Sequence, residues 1–191
     1  FSSGKKINLT LNEKNKLHLE SDKSIFNLNC ISASEFPVTE EDFNQDEFVI
    51  KSKQLLKLLN KCKFSISNDE TRHYLSGIYI HKTEFEDKYY LTAVATDSHR
   101  MSISKIRLDK DIVFEPIILP KKTIFQLCSL LDNYDGEVKI SNFKSKIKFE
   151  LNNSVLISKL IDGKFPNYIQ VIPKNNQKKT RNRLKTFFKF S

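Results

Sequence analysis

The sequence predicts an α+β fold in which two helices pack on antiparallel sheets, and two observations support this. Apolar residues recur at helical spacing in two stretches, 52–64 and 120–131. Strand-like segments of alternating apolar and polar residues, separated by turn residues, lie around them. The order is strand, helix, three or four strands, a second helix and three more strands, which indicates a weak internal duplication.

The first helix has Ser52 as its predicted N-cap, and Pro120 suits the first turn of the second helix. Phe125 is among the residues of the second helix that we expect to face inward. Strands are predicted at 78–81, 89–95, 101–106, 112–119, 138–141, 146–151 and 155–160.

Residues 1–35 precede this pattern, and from residue 5 they alternate as a three-stranded meander. Because three strands alone make a poor domain, we expect them to be the end of a larger unit whose start is absent. Residues 36–46 are polar and acidic with a proline near their start, which predicts an interdomain linker.

The net charge of +9 suggests a nucleic-acid partner, but the charge is unevenly distributed along the chain. Seven of the 32 Lys and Arg residues lie in 174–191, which has no acidic residue. This leaves 25 basic and 23 acidic residues in 1–173, so the body of the chain is nearly balanced. One candidate function is therefore generic nucleic-acid binding driven by the basic tail.

Other classes of protein find little support in the sequence. Cys30, Cys62 and Cys128 lie far apart without metal-ligand spacing, which predicts reduced thiols rather than a zinc site or a disulfide scaffold. We expect no metal site and no cofactor, because acidic clusters and phosphate-binding glycine loops are missing. Neither a membrane-length apolar run nor a signal peptide is visible, so we expect a cytoplasmic protein.

Lysines lie on one face of each predicted helix. The first helix bears Lys53, Lys57 and Lys61, and Lys121 and Lys122 open the second. These side chains form either an ordinary solvated surface or a lining that faces DNA phosphates without reading sequence. Lysine suits a sliding surface because its ammonium is a flexible point charge, unlike the bidentate arginine.

Arg72, His73 and Tyr74 lie on the predicted loop after the first helix. One interpretation is a turn whose aromatic ring packs inward. The other is a protruding tip where arginine contacts phosphate and the rings stack on unpaired bases.

The run Asp97-Ser98-His99 contains the residue types of a hydrolase triad. Three consecutive residues on a turn point in different directions, and no nucleophile motif accompanies them. A hydrolase that uses Ser98 and His99 is therefore a weak alternative. The alternative that we favour is a peptide groove with a polar rim from Thr96, His99 and Arg100 and an apolar floor. Leu75, Met101, Pro166 and Val171 are the candidates for that floor.

Three runs, 69–77, 95–101 and 160–168, occur in an order and at separations that resemble the β sliding clamp of the bacterial replicative DNA polymerase. The likeness covers roughly 46–173. It implies a DNA-clamp fold with 47–173 as a complete middle domain and 1–35 as the last strands of the first domain. The basic tail 174–191 departs from the family where a third domain is expected, so the chain looks truncated or frameshifted.

The resemblance implies a non-catalytic processivity factor that encircles duplex DNA as a homodimeric head-to-tail ring. It also implies a pocket for short peptide motifs of the replicative polymerase catalytic subunit, the clamp loader and repair proteins. We expect this chain alone not to form a ring. The middle-domain half of the pocket would be Leu75, Thr96, Ser98, His99, Arg100, Met101, Pro166, Gln170 and Val171.

The DNA-contacting loop of the family maps onto Asp69, Arg72, His73 and Tyr74. Two departures lie in the pocket, where Ser98 replaces a common glycine and Met101 a common leucine. Two others lie in the loop, where His73 replaces a tyrosine and Asp69 a glutamine.

Overall fold

The structure is a computed structural model that describes residues 6–21, 24–36 and 47–172. The chain divides into two compact units, 1–41 and 42–191, and each is described by itself. The predicted linker, apart from Phe36, and the predicted tail 174–191 lie outside the described residues.

The first unit contains a three-stranded antiparallel sheet in the order β1-β2-β3, as the alternating pattern predicted. The strands are β1 (Asn8–Leu11), β2 (Lys16–Ser21) and β3 (Ser24–Asn29). Many of its large apolar side chains are exposed within this chain, with exposed fractions between 42% and 77%. They are Ile7, Leu9, Leu11, Ile25, Phe26, Leu28 and Ile31.

The second unit consists of two halves with the same element order, strand, helix and three strands. The α+β prediction and the internal duplication are thereby confirmed. The first half comprises β4 (Glu47–Lys51), α1 (Ser52–Asn60), β5 (Gly77–Phe85), β6 (Lys88–Thr96) and β7 (Met101–Arg107). The second half comprises β8 (Ile117–Pro120), α2 (Lys121–Asp132), β9 (Glu137–Phe143), β10 (Lys146–Leu151) and β11 (Ser154–Lys159).

The two halves exchange their first strands. One antiparallel sheet has the order β7-β6-β5-β8 and the other the order β11-β10-β9-β4. Phe48 of β4 lies opposite Ile140 of β9, and Leu119 of β8 lies opposite Ile78 of β5. Each sheet is therefore completed only by a strand from the other half of the sequence.

One hydrophobic core lies among the two helices and the facing sides of both sheets. Leu58 and Leu59 of α1 and Leu127 of α2 are completely buried in it. Strand residues enter it at every second position, as a pleated strand requires. Ile78 and Ile80 of β5 are examples.

A second, smaller cluster covers the opposite face of the β7-β6-β5-β8 sheet. Val94 and Ile118 from the sheet pack there with Phe165 and Tyr168 from the segment 160–172. The ring of Tyr79 stacks on that of Phe165, with centroids 4.8 Å apart. The segment 160–172 therefore lies across this sheet, and the candidate site forms along its edge.

The predicted ends of α1 are wrong. The helix ends at Asn60 rather than near residue 64, and Lys51 rather than Ser52 is the N-cap. The Ser52 hydroxyl instead donates to the Tyr134 carbonyl oxygen at 2.8 Å and accepts from the Gly136 N–H at 3.2 Å. A serine before an apolar stretch suits both roles, and the sequence does not distinguish a cap from a bond to distant backbone.

Two further predictions of elements are wrong. Residues 112–116 are not part of a strand, and Ile112 and Phe114 are nevertheless buried. The Phe114 ring meets the Phe48 ring edge-on at 5.5 Å, so alternation here marks burial in a loop. Phe125 does not face the core but is 48% exposed. The Lys63 ammonium lies 5.7 Å from the centroid of its ring.

We predict that Ser52→Ala lowers the free energy of unfolding by about 1–3 kcal/mol, because the buried Ser52 hydroxyl is lost and the partly buried Gly136 N–H loses its acceptor. Urea denaturation monitored by circular dichroism measures the change. Ser129→Ala is the matched control, since Ser129 is an exposed helix residue whose truncation has little effect. Equal stability of the two variants would contradict the role assigned to Ser52.

Candidate functional site

The turn between β6 and β7 is held by its own polar side chains. The Thr96 hydroxyl donates to the Arg100 carbonyl oxygen at 2.8 Å and accepts from the Ser98 N–H at 3.1 Å. Asp97 Oδ1 accepts from the N–H groups of His99 and Arg100, both at 3.0 Å. The turn is therefore a fixed polar rim at the end of the hairpin.

The carboxylate of Asp97 is engaged on both oxygens. Its Oδ2 accepts from Arg100 Nε at 2.9 Å. The N–H groups of Arg100 and His99 are the largest causes that hold the pKa of Asp97 below its ordinary value. The Arg100 guanidinium also lies 5.9 Å from the centroid of the Phe64 ring. Asp97 thus shapes the turn and is poorly suited to act as a base.

The hydrolase alternative receives no support from this geometry. Ser98 Oγ accepts a hydrogen bond from Arg72 Nη1 at 2.6 Å. Within the described ranges, no hydrogen bond joins the His99 ring to Ser98 or Asp97. A triad needs these groups to converge, and here the backbone directs them apart.

A cavity of about 650 Å³ opens beside this turn. It contains eight of the nine residues predicted for the pocket, while Gln170 is outside its lining. Asn167 and Tyr168 are lining residues that the sequence prediction missed. The lining residues are Leu75, Thr96, Ser98, His99, Arg100, Met101, Pro166, Asn167, Tyr168 and Val171.

The wall of the cavity formed by 166–171 is held in place by two kinds of contact. The Ile161 N–H donates to the Ile118 carbonyl oxygen at 3.0 Å, which ties the segment to the edge strand β8. Further along, the Tyr168 hydroxyl lies 3.0 Å from His81 Nε2. Burial lowers the pKa of His81 and raises that of Tyr168, so both groups stay neutral at pH 7 and hydrogen-bonded.

The predicted DNA loop is a short 3₁₀ helix, Glu70–Leu75, capped by Asp69. Asp69 Oδ1 accepts from the Thr71 N–H and hydroxyl at 2.9 and 2.6 Å, and Oδ2 accepts from Arg72 Nε at 2.8 Å. The Thr71 hydroxyl and then the Arg72 guanidinium are the main causes that lower the pKa of Asp69 to about 2. Arg72 therefore connects this loop to the turn at Ser98.

The two rings of the loop differ in their surroundings. His73 is exposed, and its Nε2 donates to the Asp162 carbonyl oxygen at 3.2 Å. Tyr74 is half-buried against the second cluster and lies directly beneath Gly163. A Cβ at Gly163 would approach Tyr74 Cβ to 3.1 Å. Tyr74 thus fits the inward-packing interpretation better than that of a stacking tip.

The predicted DNA-facing lysines lie on the exposed sides of the two helices, which contact each other. Lys57, Lys61 and Lys122 are exposed. Lys53 forms an ion pair with Asp135 at 2.6 Å, although both side chains are more than 70% exposed. Lys121 donates to the Asn68 side-chain oxygen. A surface ion pair of this kind contributes little to stability, so Lys53 is only weakly held by Asp135.

A second cavity, of about 680 Å³, lies along β8 and the β9–β10 turn. No residue predicted for a site lines it. Ile118, Lys144 and Lys164 are among its lining residues.

The described parts of the chain offer neither a metal-ligand cluster nor a membrane-spanning helix. No group of three or more His, Cys, Asp or Glu side chains is placed to hold a metal ion there. None of the helices described is long and apolar enough to cross a membrane.

We predict that the Asp69 carboxyl titrates at about pH 2, as measured by carbon-detected NMR of its side chain. Because this pKa is depressed, the stabilisation that it reflects is complete above about pH 4 and is lost as the pH falls through about 2. Thr71→Val and Arg72→Met each remove a hydrogen bond to the carboxylate and should raise the midpoint. An unchanged midpoint in both variants would contradict these assignments.

Comparison with known proteins supports the resemblance seen in the sequence. The family model of the DNA polymerase III beta subunit, central domain, matches residues 49–167. The beta sliding clamp of Caulobacter vibrioides is 35% identical over 164 residues, which are 85% of this chain and 44% of that relative. The chain thus spans less than half the length of this relative.

Solved structures give the same result. A sliding clamp, DNA polymerase III subunit beta, from Bartonella birtlesii bound to griselimycin has a TM-score of 0.83 and 35% identity. The match covers 91% of this chain and 46% of that one. A C. crescentus beta sliding clamp with polyethylene glycol at a putative beta-motif tethering region has a TM-score of 0.86 and 32% identity, over 92% and 47% of the two chains.

The family model covers more than half of the chain, and it falls on the unit with the exchanged strands and the cavity. The resemblance carried by the runs 69–77, 95–101 and 160–168 is therefore confirmed. The chain belongs to the family of the DNA polymerase III beta subunit, the beta sliding clamps.

Proposed function

We propose that this chain is part of a DNA polymerase processivity factor, a sliding clamp that encircles duplex DNA and tethers partners through a peptide groove. The observation that supports this best is the cavity of about 650 Å³, which gathers eight of the nine residues expected from the family motifs. Bond-forming chemistry in such an assembly belongs to the bound polymerase.

The cavity suits a short extended peptide. Leu75, Met101 and Val171 offer apolar surface, and Thr96 and His99 offer polar groups at the rim. A few buried apolar anchors with a polar rim are the usual means by which such grooves hold a peptide. We propose that the replicative polymerase catalytic subunit, the clamp loader and repair proteins bind here through short motifs, and that griselimycin binds here too.

The proposed DNA contact is electrostatic and independent of sequence. Exposed lysines on α1 and α2 would neutralise phosphates, and such affinity falls steeply with salt. A closed ring holds DNA topologically, so loose contacts suffice for processivity. We propose a head-to-tail homodimer for the full-length protein, acting at the nucleoid in the bacterial cytoplasm.

The domain assignment is part of the same proposal. Residues 1–35 would be the last strands of the first clamp domain, 36–46 the linker and 47–173 the middle domain. The exposed apolar side chains of the first unit fit a sheet that is completed by further residues.

A second candidate is a generic nucleic-acid-binding protein, favoured by the seven basic residues of 174–191. Deleting this tail distinguishes the two candidate functions, because a generic nucleic-acid-binding protein should lose its binding. Under the clamp proposal, the deletion removes only salt-sensitive affinity and leaves the groove intact.

We predict that Met101→Ala weakens griselimycin binding about ten-fold, because apolar contact surface in the lining of the cavity is removed. Isothermal titration calorimetry measures the change. Ile103→Ala is the matched control, since Ile103 lies on the same strand but outside the cavity and should leave the affinity unchanged. Equal effects of the two substitutions would count against the groove.

We predict that replacing Lys57, Lys61 and Lys122 together by Gln weakens binding to a short labelled duplex. The slope of log K against log salt should become shallower by about 0.9 for each phosphate that the protein no longer neutralises. Fluorescence anisotropy across a salt series measures it. Lys110→Gln, an exposed lysine in the β7–β8 connection, is the control. If only deletion of 174–191 changes the slope, the helix surface does not bind DNA.

A further inference from the structure

Two unusual backbone conformations are joined by a hydrogen bond. One lies in the loop 69–75 and the other in the β6–β7 turn 96–101. Ser98 has a φ of +76°, in the left-handed region that glycine adopts more easily than serine. Arg72 has φ −113° and ψ +59° and interrupts the 3₁₀ helix Glu70–Leu75. Conformations of this kind persist where surrounding contacts hold them, and they are common at functional sites.

One side chain joins these two positions. Arg72 donates from Nε to Asp69 Oδ2 at 2.8 Å and from Nη1 to Ser98 Oγ at 2.6 Å. We call the three residues the Asp69–Arg72–Ser98 bridge. Among the described hydrogen bonds, the one to Ser98 is the only direct link between the loop 69–75 and the turn 96–101.

The bridge joins the cavity to the loop that the family resemblance assigns to DNA contact. Ser98 lines the cavity, and Arg72 lies in that loop. A guanidinium has five N–H groups, and the two bonds of the bridge leave three for other acceptors. The Arg72 side chain is 39% exposed, so these groups can reach a phosphate.

Arg100 provides a contrast. Its guanidinium is tied to Asp97 within the same turn and covers the ring of Phe64. It therefore lies at the cavity but makes no hydrogen bond to the loop in the described structure. Of the two arginines beside the turn, only Arg72 joins it by a described hydrogen bond to the loop 69–75.

We propose that Ser98 is a positioning residue that couples occupancy of the groove to phosphate binding by Arg72. This inference rests on the proposed function. A ligand in the cavity restricts Ser98 and hence Arg72, and a phosphate on Arg72 restricts Ser98 in the same way. The first ligand to bind orders the bridge, so the second binds without that entropic cost. Each ligand therefore increases the affinity of the other by the same factor.

Ser98→Gly tests the coupling without endangering the fold. Glycine accepts a φ of +76° more readily than serine, and the substitution removes the hydroxyl that accepts from Arg72. Griselimycin affinity is measured by calorimetry on the 191-residue chain at low salt, with and without a saturating short duplex. The ratio of the two affinities is compared within each variant, so any direct contribution of the Ser98 hydroxyl to ligand binding cancels.

In the wild-type chain we expect griselimycin to bind about five-fold more tightly when DNA is present, at the low end of usual coupling. In Ser98→Gly and in Arg72→Met the ratio should fall to about one, since either change breaks the bridge. Ser98→Asn should restore part of the coupling, because asparagine tolerates left-handed backbone and supplies an acceptor oxygen.

A second readout follows Arg72 itself. In the wild-type chain the NMR resonance of the Arg72 Nε–H should shift when griselimycin fills the cavity, although Arg72 is outside the lining. The shift should vanish in Ser98→Gly. A purely structural role of Ser98 would alter stability but would not make this resonance respond to the ligand.

The outcomes separate the inference from the proposed function. If the wild-type chain binds neither griselimycin nor duplex, the proposed function fails, and the coupling fails with it. If both bind but the wild-type ratio is one, the coupling is wrong and the groove and DNA surface stand. An equal ratio in wild type and Ser98→Gly likewise overturns the role of Ser98.

Discussion

The exchange of first strands between the two halves is the constraint on which the rest of the structure depends. β4 completes the sheet of the second half and β8 completes that of the first. Both helices follow directly from the exchanged strands, so each helix is held against the core by a strand in the other half's sheet. The two helices that carry the lysines contact each other as a result of this arrangement.

The cavity is a consequence of burying one sheet on both faces. β6 has apolar residues on both sides, with Ala93 and Ala95 in the main core and Val94 in the second cluster. The segment 160–172 that covers the outer face ends beside the β6–β7 turn, and the space between them is the cavity of about 650 Å³. Its apolar floor thus continues the second cluster, and its rim consists of turn residues that satisfy their own polar groups.

Much of this could be predicted, and the exceptions have physical causes. The strands from β5 to β11 could be located because alternation and turns are local signals. Eight residues of the cavity lining could be grouped because three motifs resemble one family. Residues 112–116 were misassigned, since Phe114 is buried without a strand partner and alternation reports burial alone. The role of Ser52 could not be predicted because its partner, Gly136, is 84 residues away. The exposure of Phe125 could not be predicted because its ring contacts Lys63, which lies outside the pattern of the second helix. Tyr168 was missed because its place in the cavity depends on His81, 87 residues away.

The strand exchange also delays the pairing of one strand while the chain is synthesised on the ribosome. Glu47 of β4 pairs with Ser141 of β9, and 94 residues separate them. At roughly 5–20 residues per second, β4 waits about 5–20 seconds for its partner to be made. During that interval Phe48 and Ile50 have no sheet to join, so the nascent chain exposes a short apolar strand that could pair with another chain. The same topology that joins the halves in the native protein makes β4 the strand of the second unit that waits longest for its partner.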